Sequence, residues 1–228
     1  MHRFNLVRTF LMVSVFFSVS VNHHRVAAAS IMGTKTQCEA LFIETRYQQP
    51  QPLMMQEQYI GEDKGHYRDP ITGEKWNVKY YTKRERQEFE IFDNGGIFVD
   101  RKNQKIESEF DNESLNFQES IFVVDLHFRM YFIKRDERGH IHHSSLVAGG
   151  GVLFAGMAAF MGGQLRLLDD SSGHYKSDPE RTKWFLRELH RRGFDLSRLL
   201  LTGRVARHYG NGRAALDAKE VERMVLIP

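Results

Sequence analysis

The glycine-rich segment from His142 to Tyr175 constrains the fold of this 228-residue chain more than any other feature. It places seven glycines around two apolar runs, and it is bounded by a polar cluster at each end. Glycine readily adopts the backbone angles of tight turns. The pattern therefore predicts short strands joined by turns, with His, Ser and Tyr side chains at the edges, where a pocket can form.

About six or seven short strands are predicted from Trp76 onward. The turn residues Asp93-Asn94-Gly95-Gly96 favour a hairpin, because Asn and Gly accept positive φ angles. The strands of this hairpin are predicted at residues 88–92 and 97–100, and further strands at residues 121–124, 130–133, 140–146, 152–160 and 165–168. In addition to these, a last strand is predicted at residues 196–201. Strands at this spacing indicate an α+β fold, with a curled antiparallel sheet or a partly open β-barrel.

One main helix and a short C-terminal helix complete the predicted fold. Asp178 is a good N-cap and Pro179 suits the first helical position, while Gly193 is placed to end the helix. Apolar residues at spacings of three and four predict that this helix packs against the sheet. Asp217 begins the short second helix, which is predicted to run to about Met224.

The first 29 residues have the pattern of a cleaved signal peptide. Arg3 and Arg8 precede an apolar run at residues 10–21, and Ala27-Ala28-Ala29 offers a cleavage site before Ser30. The apolar run is too short for a spanning helix, so no membrane anchor is expected after cleavage. We therefore predict a secreted or periplasmic protein with a polar, Gln- and Pro-containing lead-in at residues 30–75 and one β-rich globular domain at residues 76–228.

Charge argues against a nucleic-acid partner. The chain has 32 Lys and Arg against 29 Asp and Glu, but Arg3, Arg8 and Arg25 leave with the signal peptide, so the predicted mature protein has a formal net charge of zero. A basic surface for nucleic acid is therefore not expected. Cys38 is the only cysteine, so no internal disulfide can form, and a buried or idle thiol is favoured over a nucleophile.

Two polar clusters carry the candidate pocket residues: the HSS cluster at residues 143–145 and the SGHY cluster at residues 172–175. The candidate residues are His143, Ser145, Gly173, His174 and Tyr175. On a strand, His143 and Ser145 share a face, and His174 or Tyr175 can complete a catalytic group if the fold brings them together. The alternative is structural: the side chains cap tight turns, and Gly173 supplies a backbone conformation that other residues resist.

The histidines near residue 142 are consistent with either a metal site or a plain histidine cluster. His140 and His142 alternate, so on a strand both imidazoles lie on one side, and His174 can be a third ligand. No carboxylate has an obvious place beside them. We therefore expect a solvated or hydrogen-bonded histidine cluster, with no metal and no cofactor.

The order of these motifs resembles the globular, non-IQ region of plant IQ-motif calmodulin-binding proteins, and similar domains occur in uncharacterised microbial proteins. The resemblance rests on residues 85–90 (ERQEFE), the glycine hairpin, the HSS cluster with the following A-G-G, Ala155-Gly156 and the SGHY cluster. The calmodulin-binding Ile-Gln motif of the plant proteins has no counterpart in this sequence, so calmodulin is not expected as a partner. The proline that usually follows SGHY-x is delayed here to Pro179.

Two functions from different classes follow. The first is an exported, non-enzymatic module that binds a protein or small ligand through the HSS and SGHY clusters. The alternative is a small transferase or hydrolase that uses His143, Ser145, His174 and Tyr175. We favour the binding module, because no motif fixes a nucleophile, a base and an oxyanion donor together.

Overall fold

A computed structural model of the chain describes residues 49–69, 72–75, 77–108, 120–134 and 140–226. The predicted signal peptide and Cys38 lie outside the described residues, as do Trp76 and the predicted turn at residues 136–139.

Eight strands form one mixed sheet. Their bounds are β1 Glu90–Asp93, β2 Phe98–Val99, β3 Ser120–Asp125, β4 Met130–Lys134, β5 Val152–Met161, β6 Gln164–Asp169, β7 Leu200–Thr202 and β8 Ala215–Leu216. The order across the sheet is β2-β1-β4-β3-β5-β6-β7-β8. The predicted α+β fold with a curled sheet is confirmed, and the hairpin at residues 93–96 joins β1 to β2 as expected.

One strand pair departs from the predicted antiparallel arrangement. β6 and β7 are parallel, with Leu167 opposite Leu200, whereas the other paired strands are antiparallel. The cause is the helix between them, because a helical crossover returns the chain to the end of the sheet from which β6 started. The strand predicted at residues 196–201 corresponds to β7 and begins later, at Leu200, since residues 196–199 form a turn in which Leu199 N–H donates to the Leu196 carbonyl. β8 follows it and is not predicted by the sequence.

Three α-helices follow the glycine-rich segment: α1 Pro179–Arg191, α2 Gly203–Tyr209 and α3 Ala218–Leu226. The predicted cap of α1 is confirmed, because the Asp178 side chain accepts from Arg181 N–H at 2.8 Å. The C-terminal helix is confirmed as well. The sequence does not predict α2, a short helix that begins at Gly203. A distant side chain caps it, because the Asp170 carboxylate accepts from the backbone N–H groups of Arg204 at 2.5 Å and Val205 at 3.1 Å. Among the described residues, no helix has both the length and the apolar character needed to span a membrane.

Both faces of the sheet are buried. On β3, Phe122 and Val124 join the core under the helices, where Phe154 stacks on Phe185 at a centroid distance of 4.8 Å. Alternate β3 residues such as Val123 face a second core on the other side. That second core is closed by the HSS cluster and by residues 49–69, which we call the covering segment.

The prediction of a strand at residues 140–146 is wrong. His143–Val147 form a short 3-10 helix, in which Ser145 Oγ accepts from the His142 backbone N–H at 3.0 Å. Serine side chains compete for backbone hydrogen bonds in this way and favour turns over strands. The consequence is that the HSS cluster does not alternate across a sheet.

Candidate functional site

The covering segment crosses the second face of the sheet and brings one carboxylate into the interior. Leu53 pairs with Val152 through two backbone hydrogen bonds of 2.8 and 2.9 Å, and Gln56 N–H donates to the His174 carbonyl at 3.0 Å. A 3-10 turn at Glu62–Lys64 follows these contacts along the chain. The Glu62 side chain in this turn is fully buried. The segment therefore carries a negative charge beneath the surface.

Glu62 joins both polar clusters that the sequence indicates. Ser144 Oγ donates to Glu62 Oε1 at 2.5 Å, and Tyr80 Oη donates to the same oxygen at 3.1 Å. His174 Nε2 lies 2.6 Å from Glu62 Oε2. We call these four side chains the Glu62 network. Each carboxylate oxygen has a partner, as a buried charge requires.

Aromatic rings enclose the histidine of this network. Tyr59, from the covering segment, stacks on His174 with ring centroids 4.1 Å apart and an interplanar angle of 27°. The centroid of the His142 ring lies 4.5 Å from that of His174, and the centroid of the Tyr67 ring lies 4.8 Å from that of Tyr59. His174 is consequently only 3% exposed.

The environment fixes the protonation of the ionisable groups around Glu62. Burial alone raises the pKa of Glu62, but the hydrogen bond and charge of His174, with the hydrogen bonds from Ser144 and Tyr80, outweigh it and lower the pKa below its ordinary value. Burial and the nearby carboxylate raise the pKa of Tyr80 and of Tyr175. Glu62 is thus a carboxylate and both phenols keep their protons near neutral pH.

The five predicted pocket residues do not form one catalytic group. His174 joins the Glu62 network, whereas His143 Nε2 bonds to the Gly156 carbonyl at 2.8 Å and Tyr175 Oη donates to the Gly150 carbonyl at 2.7 Å. Ser145 Oγ caps the 3-10 helix, and the Gly173 carbonyl accepts from the Gln56 side chain at 2.5 Å. Four of the five therefore bind neighbouring main chain or, for Gly173, a side chain of the covering segment.

Two expectations about these residues are wrong. His143 and Ser145 do not share a strand face, because they lie in a 3-10 helix, and it is Ser144 that reaches the partner of His174. Gly173 does not have a left-handed backbone, and a Cβ at this position would meet only Tyr59 Oη, at 3.7 Å. The structure gives Gly173 no steric or conformational requirement.

The His140 and His142 pair is not held on a strand either, since both residues precede the 3-10 helix. In the part of the chain that the structure describes, no three His, Cys, Asp or Glu side chains come together in an arrangement that can hold a metal ion. His142 instead contacts His174 through its ring.

Sequence reasoning missed Glu62 and Tyr80. A buried histidine needs a polar partner, so a carboxylate near His174 was to be expected on physical grounds. The sequence does not say which one, because Glu62 and His174 are 112 residues apart and Glu62 lies in the polar lead-in.

The order of the groups in the Glu62 network is not that of a serine hydrolase. In a nucleophilic triad, the imidazole lies between the hydroxyl and the carboxylate, so that it can take the hydroxyl proton. Here the carboxylate lies between Ser144 and His174. Its lowered pKa makes it a weak base, and Ser144 is fully buried. The network is arranged to fix main-chain segments rather than to present a nucleophile.

Comparison with known proteins identifies a relationship for the central part of the chain. Residues 85–182 match the family described as the IQ motif-containing protein middle domain. Two similar curated proteins come from Arabidopsis thaliana. The IQ domain-containing protein IQM3 is 29% identical over 110 residues, which are 48% of this chain and 23% of the relative. The IQ domain-containing protein IQM2 is 28% identical over 120 residues, which are 53% of this chain and 20% of the relative.

The chain thus spans less than a quarter of the length of either relative. No solved structure matches it significantly. The matched region contains the HSS and SGHY clusters and ends at Thr182, inside helix α1. Residues 85–182 are therefore similar to the middle domain of IQ motif-containing proteins, which confirms the family resemblance that these two clusters indicated.

Proposed function

We propose that this chain is an exported, non-enzymatic module that binds a protein partner, and that the HSS and SGHY clusters act by holding the covering segment, whose outer side meets that partner. The observation that carries the proposal is the Glu62 network. Ser144, Glu62 and His174 are bonded to one another and are at most 3% exposed. They cannot bind a small ligand without giving up these hydrogen bonds, whereas a protein can bind the surface above them.

The outer side of the covering segment has the character of a contact surface. Met54 is 66% exposed and Ile60 is 64% exposed, and both flank the part of the segment that lies on His174. Exposed apolar side chains favour association with another protein where they form one patch, and Met54 and Ile60 are the apolar part of the surface that we propose. Tyr59, which is half-buried between the segment and His174, fixes the backbone next to Ile60.

The relatives support a binding role at a coarse level. Both are IQ domain-containing proteins, and the matched region is their middle domain. The IQ motif itself has no counterpart in this sequence, so we keep the prediction that calmodulin is not the partner. Export, to the medium or the periplasm, is a separate part of the proposal and depends on the pattern of residues 1–29.

The binding surface is tested with the protein in the form that its host exports. The wild-type protein and the Ile60→Asp variant, both immobilised, are incubated with the extracellular fraction of that host, and bound proteins are quantified by mass spectrometry. Met161→Asp is the matched control, because Met161 is also an exposed apolar residue but lies at the β5–β6 turn. We expect a partner that the wild type and Met161→Asp retain and Ile60→Asp loses.

Equal retention of the partner by all three proteins would contradict the proposed surface.

The enzymatic alternative is tested on the same preparations with ester, amide and acyl-transfer substrates. Turnover by the wild type that Ser144→Ala abolishes, while the variant stays folded, would overturn the non-enzymatic assignment.

A further inference from the structure

A second site lies outside the Glu62 network, among the three helices. A groove of about 360 Å³ opens between α1, α2, β8 and α3, and we call it the basic groove. Its volume is within the range of about 300–1,000 Å³ that is typical of small-molecule sites. Neither the sequence patterns nor the family match, which ends at Thr182, assigns a role to it.

The groove has an apolar floor and one aromatic wall. Leu216 and Met224 form the floor and are 2% and 8% exposed. The wall is the ring of Tyr209, whose hydroxyl donates to Glu180 on α1. Because this hydrogen bond fixes the ring, the groove offers a pre-formed surface for an apolar body.

The rim of the groove carries more positive than negative charge. Lys183, Arg213 and Arg223 line it together with a single carboxylate, Glu220. Arg213 forms an ion pair with Glu220. Among the residues that the structure describes, neither Lys183 nor Arg223 forms an ion pair, so two cations at the rim lack an anionic partner within contact distance.

Lys183 lies where a bound anion would stabilise its charged form. Its ammonium lies 5.7 Å from the centre of the Tyr209 ring, at the boundary between the rim and the wall. Burial and the neighbouring Arg187 lower the pKa of Lys183, and Glu180 only partly opposes this. A negatively charged ligand would compensate both effects.

We propose that the basic groove binds a small organic anion with an apolar body, such as an aryl or alkyl carboxylate, sulfonate or phosphate monoester. The anionic group contacts Lys183 and Arg223 at the rim, and the apolar body lies on Tyr209, Leu216 and Met224. This site is independent of the proposed protein-binding surface.

Fluorescence titration with 8-anilinonaphthalene-1-sulfonate tests the proposal, because this probe combines a sulfonate with an aromatic body. N-phenyl-1-naphthylamine, which lacks the sulfonate, is the neutral comparison. We expect Lys183→Gln and Arg223→Gln each to raise the Kd of the anionic probe about three- to tenfold, and the double variant to raise it more than tenfold. The Kd of the neutral probe should change little.

Two further variants make the test specific. Lys219→Gln is the matched control, because Lys219 is an exposed cation on α3 that does not line the groove, and it should leave the Kd unchanged. Glu220→Gln should lower the Kd, since it frees Arg213 while glutamine still supports the capping box with Asp217.

The groove is not the site if the wild type does not bind the anionic probe. The proposal is overturned equally if the double variant binds the probe as tightly as the wild type, or if Lys219→Gln weakens binding as much as Arg223→Gln. Thermal melting of each variant, with a Tm close to that of the wild type, excludes unfolding as the cause of a loss.

Discussion

His174 Nε2 lies 2.6 Å from Glu62 Oε2, although 112 residues separate the two in the chain. Through this contact, the covering segment and the SGHY cluster share one buried polar centre. Because partners of this kind are costly to separate in the interior, the stability of the domain should depend on each of them.

Glu62→Gln should lower the free energy of unfolding by about 2–4 kcal/mol, because the amide cannot accept hydrogen bonds on both sides as the carboxylate does. Urea denaturation followed by circular dichroism measures the change. Glu57→Gln is the matched control, since Glu57 is exposed on the same segment, and its effect should stay within about 0.5 kcal/mol. Equal effects of the two substitutions would show that the buried carboxylate is unimportant.

The stability contributed by Glu62 should disappear in acid. The folded-state pKa of Glu62 lies below its ordinary value of 4.5. Its contribution to the free energy of unfolding is therefore complete above about pH 4.5 and is lost as the pH falls through the lowered folded-state pKa. The difference in unfolding free energy between the wild type and Glu62→Gln should therefore be constant from about pH 7 to pH 5 and shrink toward about pH 3. A difference that does not change in acid would argue against an ionised Glu62.

Ser144 and His174 should be energetically coupled, because both bind the same carboxylate. Each substitution by alanine should cost about 1–3 kcal/mol, and the double variant should differ from the sum by about 0.5–3 kcal/mol. A double-mutant cycle on unfolding free energies measures this coupling. Strict additivity would mean that Glu62 does not link the two clusters.

Substitution by alanine should strongly destabilise the protein at one glycine of the glycine-rich segment and have little effect at another. A Cβ at Gly156 would lie 2.0 Å from the Asp169 carbonyl oxygen on the adjacent strand, whereas a Cβ at Gly173 has no close contact. Gly156→Ala should therefore cost more than about 3 kcal/mol, and Gly173→Ala should stay within about 0.5 kcal/mol. Thermal or urea unfolding of the two variants compares them directly, and a tolerated Gly156→Ala would contradict the close strand packing.

Export is predicted to leave Ser30 at or near the N-terminus. Mass spectrometry of intact protein recovered outside the cytoplasm identifies that residue. Recovery of full-length protein in the cytosol alone would remove the secretory part of the proposal.

The mature protein should also show little salt-dependent affinity for DNA or RNA, as expected for a formal net charge of zero.

The sequence predicts correctly those turns and helix ends that are determined by adjacent residues. The Asp93-Asn94-Gly95-Gly96 hairpin and the Asp178-Pro179 helix start depend on neighbouring residues, and both form as expected. The sequence predicts a strand for the HSS cluster, which follows the turn residues 136–139. Its serine hydroxyls can serve either a strand edge or a turn, and contacts with the distant covering segment select the turn.

Of the residues of the Glu62 network, the sequence indicates His174 but not Glu62 or Tyr80. The SGHY cluster pointed to His174, which lies at its centre. Glu62 could not be predicted, because the pairing of Leu53 with Val152 that brings the covering segment into place is a long-range contact with no periodic signal. Tyr80 depends on another long-range contact, in which the Tyr81 N–H donates to the Ser145 carbonyl at 3.0 Å.

The position of Glu62, outside the region matched by the family, defines how much chain is needed for an independently folding protein. A fragment limited to residues 85–182 would keep Ser144 and His174 but lack their shared acceptor. It would also expose the second core that the covering segment shields, and would lack most of α1 and all of β7. Such a fragment should aggregate when expressed, and useful expression boundaries therefore include the covering segment from Gln49 and extend through α3.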